Sequence, residues 1–225
     1  MHVRRSLYRL LGRTDLFNRA LRARVAKLIA KTDLRVYLFS GGKYLDIGAG
    51  SGDLAAMLEE SSAATFYEMD TQDWRREEIR LRRGHSVQRR IASPAEKPLR
   101  CGNFCIATGE AVPIKDNTLD GISIFGVLHH TKDPEHILCE ALRAVKPEGK
   151  ILLYEDTYNN KWQEWKTKLL DSIGNLEFIG HPHSNKTLAE WKDLFNKYPI
   201  RIIAEKSFAF TGFQISFFVL QKNRF

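Results

Sequence analysis

The stretch YLDIGAGSGDL, residues 44–54, joins a short apolar run to three glycines within five positions. It reads as a buried strand over Tyr44 to Ile47, a tight turn, and a helix over Leu54 to Glu59. Asp46 then falls at the carboxyl edge of the strand, where open α/β sheets place their ligand crevice. Gly48, Gly50 and Gly52 carry no Cβ to hold a ligand off the backbone and tolerate positive φ. Ser51 or Asp53 can cap the helix. A dinucleotide fingerprint would need its third glycine one residue later, and a pyrophosphate is poorly matched to Asp46.

Downstream, ATFYEM (residues 64–69) reads as a second strand ending at Asp70, where nucleoside-binding α/β folds take ribose hydroxyls. Asp70 with Thr71 also precedes a helical stretch, Gln72 to Arg83, which the acid could cap. Residues 84–100 are polar and proline-containing and read as a loop into a third strand, Asn103 to Ala107, followed by Thr108, Gly109 and Glu110. Asp116-Asn117 is a turn and Leu119 to Phe125 a buried strand. Asp133-Pro134 starts a helix that Pro147 ends, and Ile151 to Tyr154 is a fifth strand. Such alternation demands parallel strands with helices on both faces. The rhythm then changes. Helices over Lys161 to Asp171 and Leu188 to Asn196 precede two strands, Ile200 to Ser207 and Phe213 to Gln221, so the sheet ends in a mixed edge.

With 225 residues and 43% hydrophobic content, the chain can bury a full core over 41–225. Residues 1–40 set Leu7, Leu10, Leu11, Leu16, Phe17, Leu21, Val25 and Leu28 at helical spacing among arginines. They read as amphipathic helices that pack on or lid the core, with peripheral contact to anionic membrane as a lesser role. No apolar run approaches the ~20 residues of a membrane span, and the start lacks a signal-peptide pattern, so a cytoplasmic location is expected. Cys101, Cys105 and Cys139 are odd in number and form no C-x-x-C pair, which argues against both a disulfide framework and a zinc site. The net charge of +8, from 35 Lys and Arg against 27 Asp and Glu, keeps a nucleic-acid partner in view.

The ordered set Asp46, Gly48, Gly50, Gly52, Asp70, AVPI (111–114), Asp120, Leu128-His129-His130, Arg143, Pro147, Gly149 and Glu155 resembles the class I S-adenosylmethionine-dependent methyltransferases. It is most similar to the subgroup with Leu-His-His after strand four, which includes quinone-biosynthesis enzymes. The resemblance implies an α/β, doubly wound Rossmann-like sheet of about seven strands, mostly parallel with an antiparallel last strand. It also implies S-adenosyl-L-methionine as cofactor and S-adenosyl-L-homocysteine as product. The implied cofactor contacts are Asp46, Gly48, Ala49, Gly50 and Gly52 in the turn; Asp70 and Thr71 toward the ribose; Thr108 and Gly109 toward adenine; and Phe125 and Gly126 near the methionine moiety. Thr108 stands where many relatives carry Asp.

Methyl transfer from a sulfonium is an in-line displacement that needs alignment and water exclusion more than a nucleophilic residue. His129, His130 and Glu155, at the ends of strands four and five, are the candidate catalytic groups: the histidines as a base toward an acceptor hydroxyl, or as a helix cap or packing beside the cofactor, and Glu155 with Asp156 as a partner for an amine or second hydroxyl, or as solvent-facing acids. Between the later helices, Asn175, His181, His183 and Asn185 fall on the expected acceptor side, residues 157–199. H-x-H alone does not assign a metal, and none is expected. A small-molecule acceptor is the leading reading. A nucleic-acid methyltransferase and a non-catalytic cofactor- or partner-binding module are the alternatives; the first lacks the Asn/Asp-Pro-Pro-aromatic or Pro-Cys motif after strand four.

Overall fold

The computed structural model describes residues 41–50, 52–60, 63–71, 104–175, 182, 184–210 and 213–224. The amphipathic helices expected within 1–40, the helix expected over 72–83 and the 84–100 loop lie outside the described residues, as do Ser51, His181 and His183.

The strands are β1 (Gly42–Ile47), β2 (Ala64–Asp70), β3 (Phe104–Ile106), β4 (Leu119–Phe125), β5 (Val145–Thr157), β6 (Ile200–Phe210) and β7 (Phe213–Lys222). The helices are α1 (Asp53–Glu60), α2 (Pro134–Ala144), α3 (Lys161–Asn175) and α4 (Leu188–Phe195), with a 3-10 turn at Leu128–His130. Among the described residues the strands form one sheet in the order β3-β2-β1-β4-β5-β7-β6. The first five are mutually parallel, and β7 enters antiparallel between β5 and β6. This is the mixed edge expected from the sequence. β5 is longer than the expected Ile151 to Tyr154 at both ends: the helix stops at Ala144, before Pro147, and Val145 and Lys150 already pair with Leu119 and Gly121, while Glu155, Asp156 and Thr157 continue to pair with Ser216, Ile215 and Gln214.

Side chains alternate between two cores because a strand turns successive Cβ atoms to opposite faces. On β5, Ile151 and Leu153 join Leu138, Leu142, Trp191 and Phe195 under α2 and α4. Leu152 and Tyr154 instead join Leu54, Leu58, Phe217 and Val219 under α1. Burial on both faces explains why these strands read as nearly continuous apolar runs. α2 starts as its sequence suggests: Pro134 occupies the first turn and the Asp133 carboxylate accepts the His136 N–H at 3.0 Å.

Because β1, β2, β4 and β5 are parallel and nearly in register, their carboxyl ends gather at one edge. The chain leaves β1 toward β2 on one side and reaches β4 on the other, so a crevice opens at the end of β1. The loop leading to β4 is clamped from α2. Arg143 donates to the carbonyls of Val112 and Ile114 at 2.9 and 2.8 Å and to Glu140 at 2.8 Å, while Glu140 accepts the Val112 N–H. The 2.6 Å pair with Asp116 is more exposed and contributes little. Replacing Arg143 with Ala removes two charged donors to backbone carbonyls. A cost of about 1–3 kcal/mol is expected, read as a lower urea midpoint with an unchanged slope.

Candidate active site

The glycine turn is fastened to β2 by its own backbone. Gly48 and Ala49 donate to the Met69 carbonyl at 2.8 and 3.0 Å, and Gly50 donates to the Asp70 carboxylate at 2.9 Å. The Gly52 carbonyl accepts the Ala56 N–H, so α1 begins directly behind the third glycine. At Gly48, φ is +72° and an added Cβ would overlap Val127 Cγ2, so only glycine permits this approach between the turn and the segment after β4. Asp46 is buried, and its carboxylate accepts the Ser123 hydroxyl at 2.6 Å across the β1–β4 pair.

These bonds carry a chemical consequence. The amides of Gly48, Ala49 and Gly50 are committed to β2 and do not form a nest for phosphate. What the edge supplies is carboxylate, from Asp46 and Asp70, which fits an ammonium and ribose hydroxyls. The residues present therefore fit S-adenosylmethionine and argue against a dinucleotide. Thr71 and Thr108 are exposed at the ends of β2 and β3, and Gly109 packs against Ile137. Phe125 stacks on Tyr154, with ring centroids 6.0 Å apart. Gly126 turns at φ +64° and donates to the Tyr154 carbonyl at 2.9 Å.

The three expected catalytic groups do meet, but in unequal roles. Glu155 is fully buried and accepts N–H groups from Val127, Leu128 and His129 at 3.3, 2.9 and 3.4 Å, so it caps the 3-10 turn. Its Oε2 also lies 2.5 Å from His129 Nδ1. Glu155 thus holds the turn and the imidazole in place instead of facing an acceptor or solvent. His129 is buried; His130 keeps about a quarter of its side chain exposed and lies with its ring 4.1 Å from that of His129.

Sequence reasoning assigned no role to Asp171 on α3. Its Oδ1 lies 3.6 Å from His129 Nε2 and 3.5 Å from His130 Nε2. The sequence carried no signal for this; only the packing shows that Thr167, one helical turn earlier, is buried on the same strip. Burial opposes charge on His129, yet Glu155 and Asp171 outweigh it and hold its pKa well above the usual histidine range. Burial pushes Asp156 up to about 6, against the pull of His129. A base role for His129 would first require it to give up the proton these carboxylates stabilise.

The segment after α3 closes over this corner. Ser184 donates its N–H to the His129 carbonyl and its hydroxyl to the Leu128 carbonyl, at 3.0 and 2.9 Å. Lys186 bridges to Thr157 at the end of β5. Asn185 between them is buried. Glu155→Gln keeps the shape but sets an amide donor against backbone donors. A loss of about 3 kcal/mol is expected in chemical denaturation, with a larger loss for Glu155→Ala.

A family profile described as "Methyltransferase domain" matches residues 17–203. Among curated relatives, the ubiquinone/menaquinone biosynthesis C-methyltransferase UbiE of Burkholderia mallei is 27% identical over 184 residues, covering 78% of this chain and 69% of its own. Among solved structures, the PH0226 protein of Pyrococcus horikoshii superposes with a TM-score of 0.66 at 18% identity, covering 97% of this chain and 99% of that one. A SAM-dependent methyltransferase of Methanosarcina mazei superposes with a TM-score of 0.62 at 18% identity, covering 84% and 96%. The turn geometry and the sheet order agree with these likenesses, and the chain belongs to the methyltransferase-domain family as a class I enzyme that uses S-adenosylmethionine.

Proposed function

We propose that the acceptor is a small molecule whose polar atom is held at the corner formed by His129, His130 and Asp171. The observation that carries this reading is the charge of the described edge. Asp46, Asp70, Glu155, Asp156 and Asp171 all gather at or beside the carboxyl ends of β1, β2 and β5. The field of these mostly buried carboxylates opposes a phosphate brought to that edge, whereas nucleic-acid binding depends on neutralising phosphates with Lys and Arg. The partial exposure of His130 beside two buried partners suits entry of one functional group better than of a polymer. The UbiE relative, named for C-methylation in quinone biosynthesis, supports the same class of acceptor.

When bound, S-adenosylmethionine supplies a methyl group on a positively charged sulfur. Asp46 and the 48–52 turn would hold its amino-acid end and Asp70 its ribose, with Phe125 and Gly126 lining the side toward the 3-10 turn. The chain's contribution is orientation. Glu155 fixes His129, Asp171 faces both imidazoles, and Ser184 ties the segment after α3 to the 3-10 turn. Alignment of this kind supplies ~7–11 kcal/mol of a displacement barrier.

Isothermal titration should show saturable binding of S-adenosylmethionine and of S-adenosylhomocysteine. Gly48→Ala should weaken both at least about tenfold, because its turn needs positive φ and its Cβ meets Val127. With bound cofactor, product formation should appear with phenolic and quinol acceptors and be absent with RNA. Turnover on RNA alone would overturn the small-molecule reading.

A further inference from the structure

His129, His130 and Asp171 form a cluster whose ligand-type atoms all lie within 4.8 Å of one another. Its geometry is that of a cation site more than that of a hydrogen-bonded triad. The Asp171 Oδ1 to imidazole Nε2 separations, 3.6 and 3.5 Å, exceed the usual N–H···O range of 2.7–3.2 Å. They come close to the edge of a tetrahedral metal shell, about 3.3–3.4 Å for ligands near 2.05 Å from the ion. Both histidines approach the same carboxylate oxygen through Nε2, the nitrogen that remains for metal binding when Nδ1 is engaged elsewhere.

For His129, Nδ1 is engaged by Glu155 at 2.5 Å. A carboxylate on the far nitrogen is the usual outer partner of a metal-bound imidazole, since it fixes the tautomer and orients the ring. Glu155 is itself locked by three backbone amides, so the orienting group is rigid before any ion arrives. The neighbourhood also holds buried polar atoms that hydrogen-bond to nothing among the described residues. These are the Thr167 hydroxyl, one turn before Asp171 on α3, and both side-chain amide atoms of Asn185. Such atoms ordinarily signal water or a ligand in the native site.

We infer that His129 Nε2, His130 Nε2 and the Asp171 carboxylate bind a divalent cation of the zinc class, with Glu155 as the outer-shell carboxylate. Two imidazoles and one carboxylate suit Zn²⁺, Co²⁺ or Mn²⁺, whereas Mg²⁺ and Ca²⁺ prefer all-oxygen shells. Among the described residues the set has three ligands, which leaves one tetrahedral position to another donor, and the partly exposed His130 lies toward solvent. The cation takes the place of the His129 Nε2 proton. The site deepens the proposed function by giving the acceptor's polar atom something to bind, and in that respect it rests on that reading; the ion site itself stands on the side chains alone.

The test uses the full chain, stripped with chelator and titrated with Zn²⁺, and separately with Co²⁺ and Mg²⁺. One Zn²⁺ per chain at micromolar affinity or better is expected, with a visible Co²⁺ absorption band and no response to Mg²⁺. His130→Ala and Asp171→Asn should each abolish the Co²⁺ band and weaken Zn²⁺ at least about tenfold. Glu155→Gln should weaken Zn²⁺ by about 10–100-fold. Thermal melting checks that each variant folds. If one does not, the wild-type Co²⁺ spectrum decides, since its absence overturns the site. The proposal also fails if wild-type protein binds no Zn²⁺, or if His130→Ala and Asp171→Asn bind as well as wild type. S-adenosylmethionine titrated into the same samples separates this result from the methyltransferase reading: retained cofactor binding without Zn²⁺ binding removes the ion site alone.

Discussion

The Glu155 carboxylate is the constraint on which this end of the molecule depends. A charge with no solvent contact is costly unless its lone pairs are filled. Here they are filled by three successive amides and one imidazole. Those donors come from the segment directly after β4, while Glu155 itself sits on β5. The single carboxylate therefore decides where the chain goes when it leaves the sheet. That path brings Val127 against Gly48 and so sets the width of the crevice behind the glycine turn. It also turns His129 inward and leaves His130 at the surface. The glycine turn and the two histidines share one anchor.

Local chemistry made much of this legible in advance. The 44–54 stretch could be read because an acid and three closely spaced glycines behind an apolar run suit few backbone paths besides a strand, a tight turn and a helix start. β4 has the bounds its apolar pattern implies. Strand ends were less legible where pairing alone extends them. The polar Glu155-Asp156-Thr157 continues β5 only because β7 lies alongside. Asp171 was out of reach for a different reason. Its partners are 41 and 42 positions away, and nothing in the KWQEWKTKLLDSIGN pattern distinguishes an acid facing two histidines from one facing water. Residue type can be read from sequence at such positions, whereas the neighbour a helix face is packed against cannot.

Electrostatics divides the molecule unevenly. The chain as a whole is basic, at +8, yet the described edge of the sheet is a gathering of acids. The arginine-rich stretches that give the excess, within 4–35 and 75–100, lie outside the described residues. Net charge thus says little about the pocket. The pocket's own chemistry follows from which amides are already engaged, and in the glycine turn they are engaged with β2.

The place of β7 in the sheet has a consequence for the order in which the protein can be made. Glu155 pairs with Ser216, 61 positions further along the chain, and Asp156 and Thr157 pair with Ile215 and Gln214. The β1–β4 seam joins residues further apart still, since Asp46 and Ser123 lie 77 positions apart. Among the described strands, the end of β5 has no neighbour on its outer side until β7 emerges during synthesis. Both seams form late because loop closure precedes the reward of contacts so distant in sequence. The strand that carries Glu155 is therefore flanked on both sides only once the last strand has left the ribosome.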